Sequence, residues 1–120
     1  MKVFVGYSRQ DNVDCLDRIE EVVVERFGAA YLDDKHFPPG IDREEAVHAA
    51  LQSADVFVAV ITPNYLRTIW TSKELDLAEK LGLGVYSLMP DGTLVESSPD
   101  EIRVMQGQDL ACGAKIAFPC

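Results

Sequence analysis

The sequence predicts an α/β fold with a central parallel sheet and helices on both of its faces. Three observations predict it. Short β-branched and aromatic runs alternate with segments of helical spacing along the 120 residues. One of those runs, residues 56–61 (VFVAVI), is apolar at every position, as a central strand buried on both faces must be. Glycine or proline clusters separate the runs, so the elements are short and closely spaced.

Residues 2–7 (KVFVGY) read as the first strand, and the polar residues 8–12 as the loop after it. From position 13 the apolar residues fall at Val13, Leu16, Ile19, Val22, Val23 and Phe27, which predicts a helix that Gly28 stops. Residues 29–32 form a brief second strand. Residues 33–41 (DDKHFPPGI) hold two prolines and a glycine, which cannot continue a strand, so they form a loop. Asp42 with Glu45 is a capping-box pattern, and Ala46, Ala49, Ala50 and Leu51 give the next helix a small apolar face. The third strand is 56–61, and 62–70 is a connection. Thr71 with Glu74 can cap a third helix whose Leu75, Ala78 and Leu81 share a face, with Gly82 and Gly84 ending it. Residues 85–89 are a fourth strand and 90–93 a turn. A short helix runs from Ser98–Pro99 to about position 110, and 115–118 can form a fifth strand.

The sheet therefore has about five strands. At this length a flavodoxin-like three-layer sandwich with strand order 2-1-3-4-5 is the expected arrangement, in a single domain spanning 1–120. In that order ligands bind at the carboxyl ends of strands one and three, where the order reverses. The loops concerned are 7–12 and 62–70, with 33–41 bordering the same end.

Composition narrows the functional classes. Apolar residues are 48% of the chain, enough for a core and too many for a disordered segment. The longest apolar run is far short of the roughly 20 residues of a membrane span, and no secretory pattern opens the chain. Cys15, Cys112 and Cys120 are odd in number and widely spaced. They suit a reducing cytosol and form no metal or disulfide framework. A net charge of −9 argues against nucleic-acid binding. An anionic small molecule could still bind where Arg9, Lys35, His36, Arg43, Arg67 or Lys73 gather.

Three segments together carry a family resemblance. The first is Val3-Phe4-Val5-Gly6-Tyr7-Ser8-Arg9-Gln10-Asp11. The second is Leu32-Asp33-Asp34 followed by Pro39-Gly40-Ile41-Asp42. The third runs from Ala50-Leu51-Gln52-Ser53-Ala54-Asp55 through the apolar strand to Asn64-Tyr65-Leu66 and Trp70-Thr71-Ser72-Lys73-Glu74-Leu75. In order and at these spacings they resemble the boxes of Toll/interleukin-receptor (TIR) domains over about residues 2–82. Gly6 stands where that family usually has serine, and nothing in 90–120 matches a box.

The resemblance implies a chemistry. Catalytic members of the family cleave the nicotinamide–ribose bond of NAD, which is a substrate and not a resident cofactor. The products are nicotinamide with ADP-ribose or a cyclic ADP-ribose. Nicotinamide leaves as a neutral base, so no general acid is needed, and positive charge develops on the ribose. One carboxylate aimed there can stabilise it. Glu74 matches the family's catalytic glutamate. Tyr7, Ser8, Arg9, Asp33, Lys35, Phe37 and Trp70 are the candidate substrate-binding residues, and no metal is expected. The resemblance further implies TIR–TIR self-association, a cytoplasmic location and a role in defence or signalling.

Each residue also has a plainer reading. Glu74 can be the acidic partner of a helix cap. Trp70 can be core packing, Arg9 a solvated loop arginine, and residues 33–37 a solvated loop. Pro39-Gly40 can simply shape a turn, and Cys15 can be core. Two other functions compete: a non-catalytic TIR interaction module, and a nucleoside 2-deoxyribosyltransferase-like enzyme with Glu74 as nucleophile. A phospho-receiver domain would need an aspartate where Ile61-Thr62-Pro63 stands.

Overall fold

The computed structural model describes residues 2–7, 16–32, 43–61, 69–89 and 92–107. Their elements are β1 (Val3–Gly6), α1 (Leu16–Phe27), α2 (Arg43–Ser53), β2 (Val56–Val60), α3 (Ile69–Lys80), β3 (Gly84–Leu88), β4 (Leu94–Glu96) and α4 (Pro99–Gly107). The strands form one sheet in the order β1-β2-β3-β4.

All five residues of β2 are buried. It pairs in parallel with β1 on one side and β3 on the other. Side chains alternate across a strand, so β2 feeds two cores. Val56, Val58 and Val60 join Val3, Val5, Ile19, Val23 and Leu88 beneath α1. Phe57 and Ala59 join Phe4, Leu51, Leu75, Ala78, Val85 and Ile102 beneath α2, α3 and α4. The result is three layers, with helices on both faces. Phe4 and Phe57 are opposite one another in the register and their rings stack at 6.0 Å, with Tyr31 stacked on the far side of Phe4.

As expected, β1, β2 and β3 lie side by side in parallel. The second strand, expected over 29–32, is reduced to one parallel bridge between Tyr31 and Phe4. Val5 N–H donates to Tyr31 O at 3.0 Å and Tyr31 N–H to Val3 O at 2.9 Å, on the side of β1 away from β2. The fifth position departs from expectation. The edge beside β3 is taken by β4, which runs antiparallel and was not predicted. A hairpin accounts for it: Met89 N–H donates to Thr93 O and Gly92 N–H to Met89 O, both at 2.8 Å, with Gly92 at φ 91°. The expected strand over 115–118 lies outside the described residues.

Helix ends follow local chemistry. Gly28 (φ 87°) and Gly82 (φ 69°) take the left-handed backbone that terminates α1 and α3. Gly84, expected to help end the third helix, is instead the first residue of β3. Leu81 falls beyond the helix and is exposed. Among the described residues a capping box is seen at α4. Ser98 N–H donates to Glu101 Oε1 at 3.0 Å, and Glu101 N–H donates to Ser98 Oγ at 3.1 Å. The predicted start of the second helix, Asp42, lies outside the described residues, as does Cys15. None of the described helices is long and apolar enough to cross a membrane.

Phe57 touches both neighbouring strands and is fully buried, so truncating it should leave a cavity in the larger core. Phe57→Ala is expected to cost about 3–5 kcal/mol, against about 1 kcal/mol for Phe57→Leu, by denaturant titration. A loss below about 1 kcal/mol for Phe57→Ala would contradict this packing.

Candidate active site

The carboxyl ends of β1 and β2 lie side by side at the end of the sheet where α3 begins. Gly6 pairs with Ala59, and the chain leaves β2 at Ile61, which still bonds β3 through Leu88 O at 2.9 Å. Helix α3 packs against β1 as well as α2 and α4, so it spans the point where the strand order reverses.

Among the described side chains of α3, Thr71, Glu74, Leu75 and Ala78 are buried, at helical spacing on one face. Ser72, Lys73, Asp76, Glu79 and Lys80 are exposed on the other. Glu74 is 5% exposed and Thr71 3%. Among the described residues Glu74 is the one buried carboxylate. It lies one helical turn past Thr71 and beside Leu75.

This overturns the capping reading of Glu74. The expected helix began at Thr71, with Glu74 three residues on. The observed helix begins at Ile69 and has no acidic residue in its first turn. Thr71 is therefore its third residue and Glu74 its sixth, beyond the orphan N–H groups a capping box satisfies. The Thr-x-x-Glu spacing is also the spacing of a core face, and continuation to Leu75 and Ala78 is the sequence signal for that alternative. Thr71 and Glu74 each make a further contact within the fold.

A carboxylate in this setting has a distinct chemical capacity. Removing a charge from water is costly, and the same low dielectric strengthens its attraction for a nearby cation. A buried carboxylate at the substrate end of a sheet is thus suited to stabilising positive charge that develops during bond cleavage.

The other candidates do not all gather there. Tyr7 is 6% exposed and belongs to the core beneath α1, with Leu32 and Val60. Glu74 belongs to the helix on the opposite face. Both residues lie at the same end of the sheet. Trp70 is the second residue of α3, and its side chain lies outside the described residues, as do Ser8, Arg9, Asp33, Lys35 and Phe37. No three described His, Cys, Asp or Glu side chains are grouped so that they could hold a metal.

A cavity of about 520 Å³ opens at the other end of the sheet, lined by Lys2, Phe4, Tyr31, Ala46, Ala50 and Ser53 among others. Its described lining is mostly apolar and holds no carboxylate side chain, so it does not answer the needs of glycosidic chemistry.

Comparison with known proteins agrees with this architecture. No curated protein matches the chain. Twenty-one chains of solved structures match. One is the TIR domains of the activated Roq1 resistosome, which directly recognises the pathogen effector XopQ. The likeness has a TM-score of 0.62 at 18% identity and covers 93% of this chain and 74% of that one. The family model for the TIR domain matches residues 3–112. The chain belongs to the TIR-domain family.

Proposed function

We propose that this TIR domain cleaves the bond between nicotinamide and ribose in NAD, with Glu74 as the carboxylate that stabilises the ribose cation. The observation that carries the reading is the burial of Glu74 on the sheet-facing side of α3, where the strand order reverses.

The reaction needs little else from the protein. The C1′–N bond breaks and its electron pair stays on the nicotinamide nitrogen, which becomes neutral. Positive charge builds on C1′ and the ring oxygen, where a fixed carboxylate in a dry site stabilises it. Water then attacks C1′ and releases a proton, giving ADP-ribose. Attack by a nitrogen of the substrate's own adenine gives the cyclic product instead.

Self-association through TIR–TIR contacts completes the site in this reading. Its support is the likeness to TIR domains within an activated resistosome. The setting is a cytoplasmic defence or signalling system, and the scattered cysteines are compatible with it. Tyr7, Ser8, Arg9, Asp33, Lys35, Phe37 and Trp70 are the proposed substrate contacts, Tyr7 through its position next to the end of β1.

Two outcomes follow. The purified chain, incubated with NAD at high concentration, should release nicotinamide, followed by chromatography. Glu74→Gln should slow that release by about 10²–10³-fold. Absence of release on a surface that forces assembly would favour a pure interaction module, and base exchange with deoxynucleosides would favour a transferase. Second, a carboxylate kept for chemistry is dispensable for folding. Glu74→Gln should melt within about 5 °C of the native chain, a shift of roughly 1 kcal/mol or less. A drop of about 15 °C would make Glu74 a structural residue instead.

A further inference from the structure

Helix α3 is gripped from two sides. On the sheet side, Leu75 and Ala78 pack with Leu51 of α2 and Ile102 of α4. On its outer side, Asp76 and Glu79 receive one guanidinium from α4. Arg103 Nη2 donates to Asp76 Oδ1 at 2.7 Å and to Glu79 Oε1 at 3.1 Å. Arg103 Nη1 donates to Glu79 Oε2 at 3.4 Å and to Asp100 Oδ1, on its own helix, at 2.8 Å. The bond to Glu79 above all raises the basicity of Arg103; partial burial opposes it, and the bonds to Asp76 and Asp100 add to it, so the net effect is a rise. The group is charged at every pH at which the protein would be handled.

The placement of these contacts around α3 matters. Each residue advances about 100° around a helix, so Asp76 lies about 200° from Glu74 and Glu79 about 140° from it. The clamp holds the side of α3 that faces away from Glu74. Rolling α3 so as to bring Glu74 out of its buried position would stretch bonds to both carboxylates. A planar guanidinium fork resists that motion more than a single point charge does.

We propose that Arg103 is a positioning residue for Glu74, fixing the roll of α3 through Asp76 and Glu79 so that the carboxylate stays aimed at the ribose. The catalytic part of this statement rests on the reading of Glu74 given above. The mechanical part stands on the Arg103 contacts alone.

The test compares Arg103→Ala and Arg103→Lys with Val23→Ala, at a temperature where all are folded. Val23 is on the buried face of α1, on the other side of the sheet, so its truncation lowers stability without touching the clamp. Two quantities are read: steady-state nicotinamide release, and amide hydrogen exchange across residues 71–78. Arg103→Ala should lower kcat about ten- to a hundredfold with little change in KM, as a misaimed group does. It should also speed exchange in 71–78. Arg103→Lys should restore part of both, and Val23→Ala should change neither per folded molecule. Unchanged exchange in Arg103→Ala, or an equal kcat loss in Val23→Ala, would overturn the proposal. If the native chain releases no nicotinamide, the NAD reading fails and exchange alone decides the clamp.

Discussion

Burial of β2 on both faces is the constraint on which the rest of this domain depends. A strand with no exposed residue needs a neighbour on each edge and a helical layer above and below. β1 and β3 supply the edges, α1 one layer, and α2, α3 and α4 the other. Lys2 N–H, bonded to Asp55 Oδ2 at 2.9 Å, ties the start of β1 to the residue before β2. Once β2 is central, the helix that follows it must cross the sheet from its carboxyl end. That helix is α3, and its first buried turns necessarily lie where the strand order reverses.

What was legible in the sequence follows from the same physics. Residues 56–60 could be read because an unbroken apolar run has few other uses in a chain of this size. Gly28 could be read as a stop because it ends a clear helical spacing and takes a backbone that other residues avoid. β4 could not be read. It is three residues long, Val95 and Glu96 are exposed, and its pairing comes from hairpin closure and not from any periodicity of its own. Residues 29–32 have strand-like composition, yet among the described residues their pairing with the sheet is the single bridge of Tyr31 to Phe4. Ser98-x-x-Glu101 was a true capping box, whereas Thr71-x-x-Glu74 was not. The two patterns are identical in spacing, and only the phase of the neighbouring apolar residues separates them. The candidate site was legible in part. Residue type and spacing single out Glu74 but not its burial, which depends on the phase of α3, and they do not show that Tyr7 is buried in the core with α1.

A buried carboxylate on an otherwise apolar helix face is expensive for folding and useful for chemistry. The two sides of α3 divide those roles. Its outer side carries the ion pairs to Arg103, which hold the helix at modest desolvation cost because both carboxylates remain about half exposed. Its inner side carries Thr71 and Glu74 among Leu75 and Ala78, where a charge costs more and acts more strongly. Membership of the TIR family gives the fold, and the proposed function rests on what this inner face would do to a bound substrate.

The most direct measurement separates binding from cleavage at that face. The Glu74→Gln chain would be titrated with intact NAD in a calorimeter, and the nucleotide recovered afterwards. A carboxylate that acts on the cation of the transition state contributes little to binding the ground-state substrate. The account therefore predicts affinity close to that of the native chain, with NAD recovered whole. Recovery of nicotinamide, or loss of binding that the native chain retains, would contradict it.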